Sequence, residues 1–171
     1  MTHGSDLREQ PHSRPGPATE ELSRSMSSKA LSEEGTPTLL ASANPALADY
    51  FPAWLNNLAD DVTLEGSMMD GAVQGAEAVR TLLVYIRKLY ERQEFRFAGP
   101  YGEKGFLEDY TAWVRGEPIG NVVQIFRNEA GQTQHIVGNY RPRSTLLLLS
   151  QLVGEHFAGS PSGEHFATLA C

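Results

Sequence analysis

The sequence predicts an α+β domain in which a curved, mainly antiparallel sheet wraps one long helix. Three observations carry that prediction. Val79, Leu82, Leu83, Ile86 and Tyr90 recur at helical spacing, an apolar stripe that reads as the clearest helix in the chain, from Gly75 to about Glu91. Four strand-like runs follow at 93–98, 106–115, 119–127 and 132–140, separated by short turn signals such as Gly99-Pro100, Gly116-Glu117-Pro118 and Asn128 to Gly131. Links that short join antiparallel neighbours, so the runs form a meander. Ahead of the helix, the stretch 60–75 reads as a strand (Val62 to Met69), a turn at Asp70-Gly71 and a brief return to Gly75, which caps the helix with Glu77 in its first turn.

The flanks follow the same logic. Residues 1–35 read as a disordered tail, because Pro11, Pro15, Pro17 and repeated Ser, Gly and Glu leave too little apolar surface to offset the entropy of ordering. The ordered domain is expected over 36–158. Asn44-Pro45 opens a helix carrying Leu47, Tyr50, Phe51, Trp54, Leu55 and Leu58, which Pro52 should kink or divide and Asp60-Asp61 should end. After the last strand, Ser144 is the expected cap of a C-terminal helix from Thr145 to Phe157, and 159–171 reads as a flexible tail. Gly154-Glu155-His156-Phe157-Ala158 recurs as Gly163-Glu164-His165-Phe166-Ala167, a repeat too short to define an architecture.

Composition bounds the partners. The chain has 171 residues, 40% of them hydrophobic, and a formal charge of -7. That sign argues against a nucleic-acid groove and against a polybasic membrane surface, both of which need clustered positive charge. The only cysteine is Cys171, so no intrachain disulfide or cysteine-ligated metal is expected, and a reducing cytoplasm is the default setting. No histidine spacing meets a zinc pattern, no phosphate-cradling glycine loop occurs, and neither a cofactor nor a metal is expected.

The wording Leu-Ala-Asp-Asp-Val-Thr-Leu-Glu-Gly (58–66), Val-Gln-Gly-Ala-Glu-Ala-Val-Arg (73–80) and Asn-Glu-Ala-Gly-Gln (128–132), in that order, resembles the SnoaL-like and ketosteroid isomerase-like branches of the nuclear transport factor 2-like superfamily. The likeness covers roughly Asn44 to Tyr140. It implies a cone: a curved antiparallel (mixed) sheet around the long helix, N-terminal helices, a C-terminal helix, an apolar pocket open at one end, and homodimers built on the outer sheet face. The superfamily includes isomerases, cyclases, epoxide hydrolases and domains without catalysis, so fold alone does not choose among them. In ketosteroid isomerases an aspartate base follows a Val-Glu pair at the end of the first strand; the matching position here is Gly66. Polyketide cyclases of the superfamily place an acid on the late strands, and this chain has no aspartate after Asp109.

The residues themselves offer a short set of candidates. His135 shares a strand face with Thr133, Val137 and Asn139, and a neutral imidazole in a pocket there would shuttle a proton near neutral pH; the alternative is a half-exposed histidine satisfied by a neighbour. Asp109, beside Leu107, Thr111 and Trp113, is a candidate acid or else a solvated strand carboxylate. Glu65 and Asp70 flank the presumed mouth, with solvent exposure and a plain turn as their alternatives. Tyr50, Trp54, Met68, Tyr110 and Trp113 would supply an aromatic, adaptable wall, or else simply core. Asn139 would orient a ligand oxygen, and Arg141, with Arg143 at a helix start, would clamp an anion or pair with a surface acid.

Three functions are open from these residues. The first is a pocket for a small apolar or cyclic molecule without catalysis. The second is a cofactor-free isomerase, cyclase or hydratase using His135. The third is a protein-interaction or dimerisation module using the outer sheet face and Leu146-Leu147-Leu148-Leu149. Both faces of 106–115 and 119–127 are apolar enough to predict a homodimer.

Overall fold

In a computed structural model, residues 43–166 are described. The predicted tail over 1–35 lies outside them. Two 3-10 turns, Pro45–Leu47 and Ala53–Asn56, lead into β1 (Leu58–Gly66) and β2 (Ala72–Gln74). Helix α1 (Ala76–Leu89) follows, then β3 (Gln93–Tyr101), β4 (Gly105–Val114), β5 (Glu117–Arg127) and β6 (Thr133–Arg141). Helix α2 (Arg143–His156) and a last 3-10 turn, Gly163–His165, complete it.

All six strands form one mixed sheet in the order β2-β1-β6-β5-β4-β3. The meander β3 to β6 is antiparallel throughout, and β1 lies parallel to β6. That single parallel pair returns the N-terminal hairpin to the sheet across α1, the long connection a parallel neighbour requires. Strand alternation then decides everything about the site. On β4, Glu108, Tyr110, Ala112 and Val114 are buried on the inner face, and on β5 so are Ile119, Asn121, Val123 and Ile125. Cross-strand pairing sets Tyr110 beside Asn121 and Glu108 beside Val123.

Helix α1 buries Val79, Leu82 and Ile86 against this inner face, in one apolar cluster with Leu64, Ile119, Ile125 and Ile136. Helix α2 packs against β5 and β6 and buries Leu149 and Val153. Of the four consecutive leucines only Leu147 is exposed, so the chain's own core takes up most of the leucine face proposed for a partner.

Several boundaries differ from the sequence expectation for definable reasons. The N-terminal helix is two short 3-10 turns, because Pro52 has no amide to continue a helix across it. Strand β1 begins at Leu58 rather than Val62: a register shift between Leu58 and Thr63 turns both Asp60 and Asp61 to solvent inside a strand. It ends at Gly66, so Met68 and Met69 lie in the turn, where the Ser150 hydroxyl donates to the Met68 carbonyl at 2.8 Å. Helix α2 starts before Ser144, with Pro142 at the cap position.

Residues 158–166, expected to fray, fold back on the core. The pentapeptide repeat explains how. A side chain on Gly163 would place its Cβ 2.1 Å from the Phe157 carbonyl oxygen, and one on Gly154 would place its Cβ 3.1 Å from the Cβ of Phe166. Each copy's glycine therefore admits the other copy's phenylalanine segment. Phe166 is buried as a result, and the His165 carbonyl accepts from the Asp70 amide at 2.7 Å.

Candidate ligand-binding site

Between the inner sheet face, α1 and the two N-terminal 3-10 turns lies a cavity of about 500 Å3, within the usual range for a small-molecule site. Its wall is mainly apolar: Leu64, Met68, Leu83, Ile86, Phe95, Val123 and Ile136 contribute. Arg80, Arg87, Lys88, Glu65 and Gln93 also line it, and two buried polar clusters stand out.

The first is Glu108, only 2% exposed. Its Oε1 accepts from the Tyr50 hydroxyl at 2.5 Å and from the Trp54 indole nitrogen at 2.6 Å. Burial pushes the carboxyl up from the ordinary range, and those two donors oppose the shift by favouring its charged form. The Tyr50 phenol is pushed far up, first by burial and then by Glu108, so it stays a donor.

The second is a chain of hydroxyls. The Asn121 amide nitrogen donates to the Tyr110 oxygen at 2.9 Å, the Tyr110 and Tyr90 oxygens lie 3.3 Å apart, and Tyr90 donates to Tyr140 at 3.3 Å. A phenol has one hydrogen. With Tyr90 donating to Tyr140, Tyr110 is the donor to Tyr90, and the Tyr140 oxygen ends the chain at the cavity wall. Burial raises all three phenols, which keeps them neutral donors. The Asn121 side-chain oxygen has no partner among the described residues.

The structure sorts the sequence candidates by face. Tyr50, Trp54, Met68 and Tyr110 reach the cavity wall. His135, Asp109, Trp113, Asn139 and Arg141 do not; alternation puts them on the outer sheet face. His135 is held there by the Thr63 hydroxyl at 2.6 Å and by Glu65 at 3.1 Å, its neighbours on β1, so it has no path to a ligand in the cavity. Asp109 pairs with Arg96 and, at 3.3 Å, with Arg141. The Arg92 guanidinium stacks 3.5 Å over Trp113, and Asn139 is exposed. Among the described residues, Asp70 accepts through its backbone carbonyl, from His165 at 3.2 Å.

Glu108, Asn121 and Tyr140 were not singled out from the sequence. The signal was present for Glu108, which shares its strand face with Tyr110, Ala112 and Val114. Gly66, at the position of the isomerase aspartate, faces Gly138 of β6 across the parallel pair, and a Cβ there would lie 2.1 Å from the Gly138 carbonyl oxygen. Among the described residues no group of three or more metal-ligating side chains converges. No helix among them is long and apolar enough to cross a membrane.

No sequence-family model matches the chain, and no curated protein matches it. Solved structures do resemble it. An uncharacterised protein with a cystatin-like fold from Silicibacter pomeroyi DSS-3 is 20% identical, with a TM-score of 0.57 over 62% of this chain and 74% of that one. A steroid delta-isomerase from Pseudomonas aeruginosa is 18% identical, with a TM-score of 0.56 over 63% of this chain and 79% of the other. An NTF-2 like protein of unknown function from Burkholderia xenovorans LB400 is 15% identical, covering 54% of this chain and 74% of its own, with a TM-score of 0.45. Strand order, the helix across the inner face and the likeness to the first two of these structures agree on the fold alone: a curved mixed sheet around a helix, as in nuclear transport factor 2-like proteins.

Proposed function

We propose that this domain binds a small, mostly apolar, cyclic molecule in the cavity, without a cofactor, as a cytoplasmic homodimer. The observation that carries the reading is the cavity of about 500 Å3, apolar along its length and equipped with a few fixed polar atoms. Tyr50, Trp54 and Met68 shape one end, and Tyr110 and Tyr140 offer hydroxyls along the sheet. The steroid delta-isomerase among the structural neighbours supports the reading through its fold alone.

A neutral probe tests it. 2-Naphthalenemethanol titrated into the full chain should raise the melting temperature with concentration, as any ligand selective for the folded state does. Leu83→Trp, which fills a half-buried wall position, should abolish that rise while leaving the fold intact by circular dichroism. A rise that persists in Leu83→Trp would place binding elsewhere and end the proposal.

One observation favours a second reading, a proton-transfer enzyme. It is Glu108, a carboxyl raised by burial inside the cavity, whereas His135, the group the sequence nominated, turns outward. Deuterium uptake by a cyclic ketone, present with the native chain and absent with Glu108→Gln, would establish it. The homodimer rests on the outer face, where Phe97 is 46% and Phe126 37% exposed. Light scattering that gives a monomer mass at micromolar concentration would remove it.

A further inference from the structure

Glu108 is a carboxylate that the protein leaves half satisfied. Both of its donors, Tyr50 and Trp54, converge on Oε1. Its other oxygen accepts nothing among the described residues, and Glu108 makes no ion pair among them. A buried acid without a counter-charge resists ionising, which is the direction in which burial moves Glu108, and a bound cation would favour the charged form instead. The surroundings suit one. The Tyr50 and Phe95 rings meet edge to face at 4.8 Å, the Phe95 and Tyr110 rings lie 5.2 Å apart, and Trp54 adjoins them in the cavity wall. Aromatic faces attract a cation most where it is desolvated.

The other charges facing the cavity leave that place open. Arg80 is turned to the Leu55 carbonyl, which it meets at 2.5 Å. Arg87 and Lys88 are exposed on α1, where solvent screens them. Glu65 is engaged by His135; Arg127, outside the cavity lining, is exposed on β5 with its guanidinium over Phe106 at 5.7 Å, and its charge acts on the Tyr50 phenol more weakly than burial and Glu108 do.

We propose that the cavity takes an amine, whose ammonium group seats on the free oxygen of Glu108 among Tyr50, Trp54 and Phe95 while its apolar body lies along the α1 wall. This rests on the pocket-binding reading and narrows it to a class of ligand. Tyr140, in the cavity wall, then meets any oxygen the ligand carries at the other end.

The test uses the full chain and a matched pair of probes, 2-naphthylmethylamine and 2-naphthalenemethanol, by calorimetry at neutral pH. The amine is expected to bind about tenfold more tightly than the alcohol, the scale of a partly desolvated cation contact. Glu108→Gln keeps an acceptor for Tyr50 and Trp54 and removes the charge, so it should bring the two affinities together. The native protein supplies an independent readout: acidification that protonates Glu108 should erase the preference for the amine and leave the alcohol's affinity flat. Equal affinities at neutral pH, or a preference that survives in Glu108→Gln or at acid pH, would overturn the inference. In those cases the alcohol still binds and the pocket reading stands. Failure of both probes to bind would remove both.

Discussion

Gly66→Ala should destabilise the domain more than any other single added methyl on β1. The structure sets the scale. The new Cβ would lie 2.1 Å from the Gly138 carbonyl oxygen, more than 1 Å inside the roughly 3.3 Å at which a carbon and a backbone oxygen ordinarily meet. Relief requires β1 and β6 to part at their parallel pairing, and the same Gly138 oxygen accepts from the Ser67 amide at 3.0 Å. Overpacking costs about 1–3 kcal/mol, and a weakened backbone hydrogen bond adds about 1 kcal/mol. A loss of about 2–4 kcal/mol is a large share of the roughly 5–15 kcal/mol that holds a domain together. For a domain of this size it lowers the melting temperature by about 10 °C. Thermal unfolding followed by circular dichroism measures it, and a melting temperature within about 2 °C of the native protein would refute the close approach.

Other expectations follow from the same geometry. Gly163→Ala should lower the melting temperature by several degrees, since its Cβ would lie 2.1 Å from the Phe157 carbonyl oxygen; an unchanged transition would argue against the packed repeat. Glu108 gives a pH dependence of definite sign. Because burial raises its pKa in the folded chain, its contribution is undiminished below the ordinary carboxylate range and is lost as pH rises through the folded value. Glu108→Gln should therefore flatten that part of the denaturation profile, gaining on the native protein toward neutral pH, and a native profile no steeper than the variant's would contradict it. His135→Ala, on the outer face with Thr63 and Glu65, should change stability by about 1 kcal/mol or less and leave probe affinity unchanged in a calorimetric titration.

Much of the fold could be read from local pattern. The stripe Val79, Leu82, Ile86 marks α1 because a helix buries one face, and the Gly, Pro and Asn turns mark the meander because those residues suit reversals. Boundaries were harder where local and tertiary demands differ, as at Asp60-Asp61, which look like a stop signal and sit in a bulged strand. Of the site, the aromatic wall at Tyr50, Trp54 and Tyr110 was legible as apolar bulk. On β4 the sequence offers Asp109 as a candidate acid or a solvated strand carboxylate, and the carboxyl that reaches the cavity is its neighbour Glu108. Alternation reverses the face with every step, so the choice needed to know that Tyr110 and Val114 point inward. Of the two readings open for His135, proton shuttle or half-exposed histidine satisfied by a neighbour, the second matches its place on the far side of the sheet against Thr63 and Glu65. The hydroxyl chain from Asn121 to Tyr140 spans three strands and a helix end, and no sequence spacing announces it.

The two tryptophans give the most direct test of the hollow inner face. Trp54 lines the cavity and bonds Glu108 through its indole nitrogen, whereas Trp113 lies outside under Arg92. In a nitrogen–proton correlation spectrum of the full chain, 2-naphthalenemethanol should shift the Trp54 indole signal and leave that of Trp113 in place. A shift of the Trp113 signal with Trp54 unmoved would contradict it.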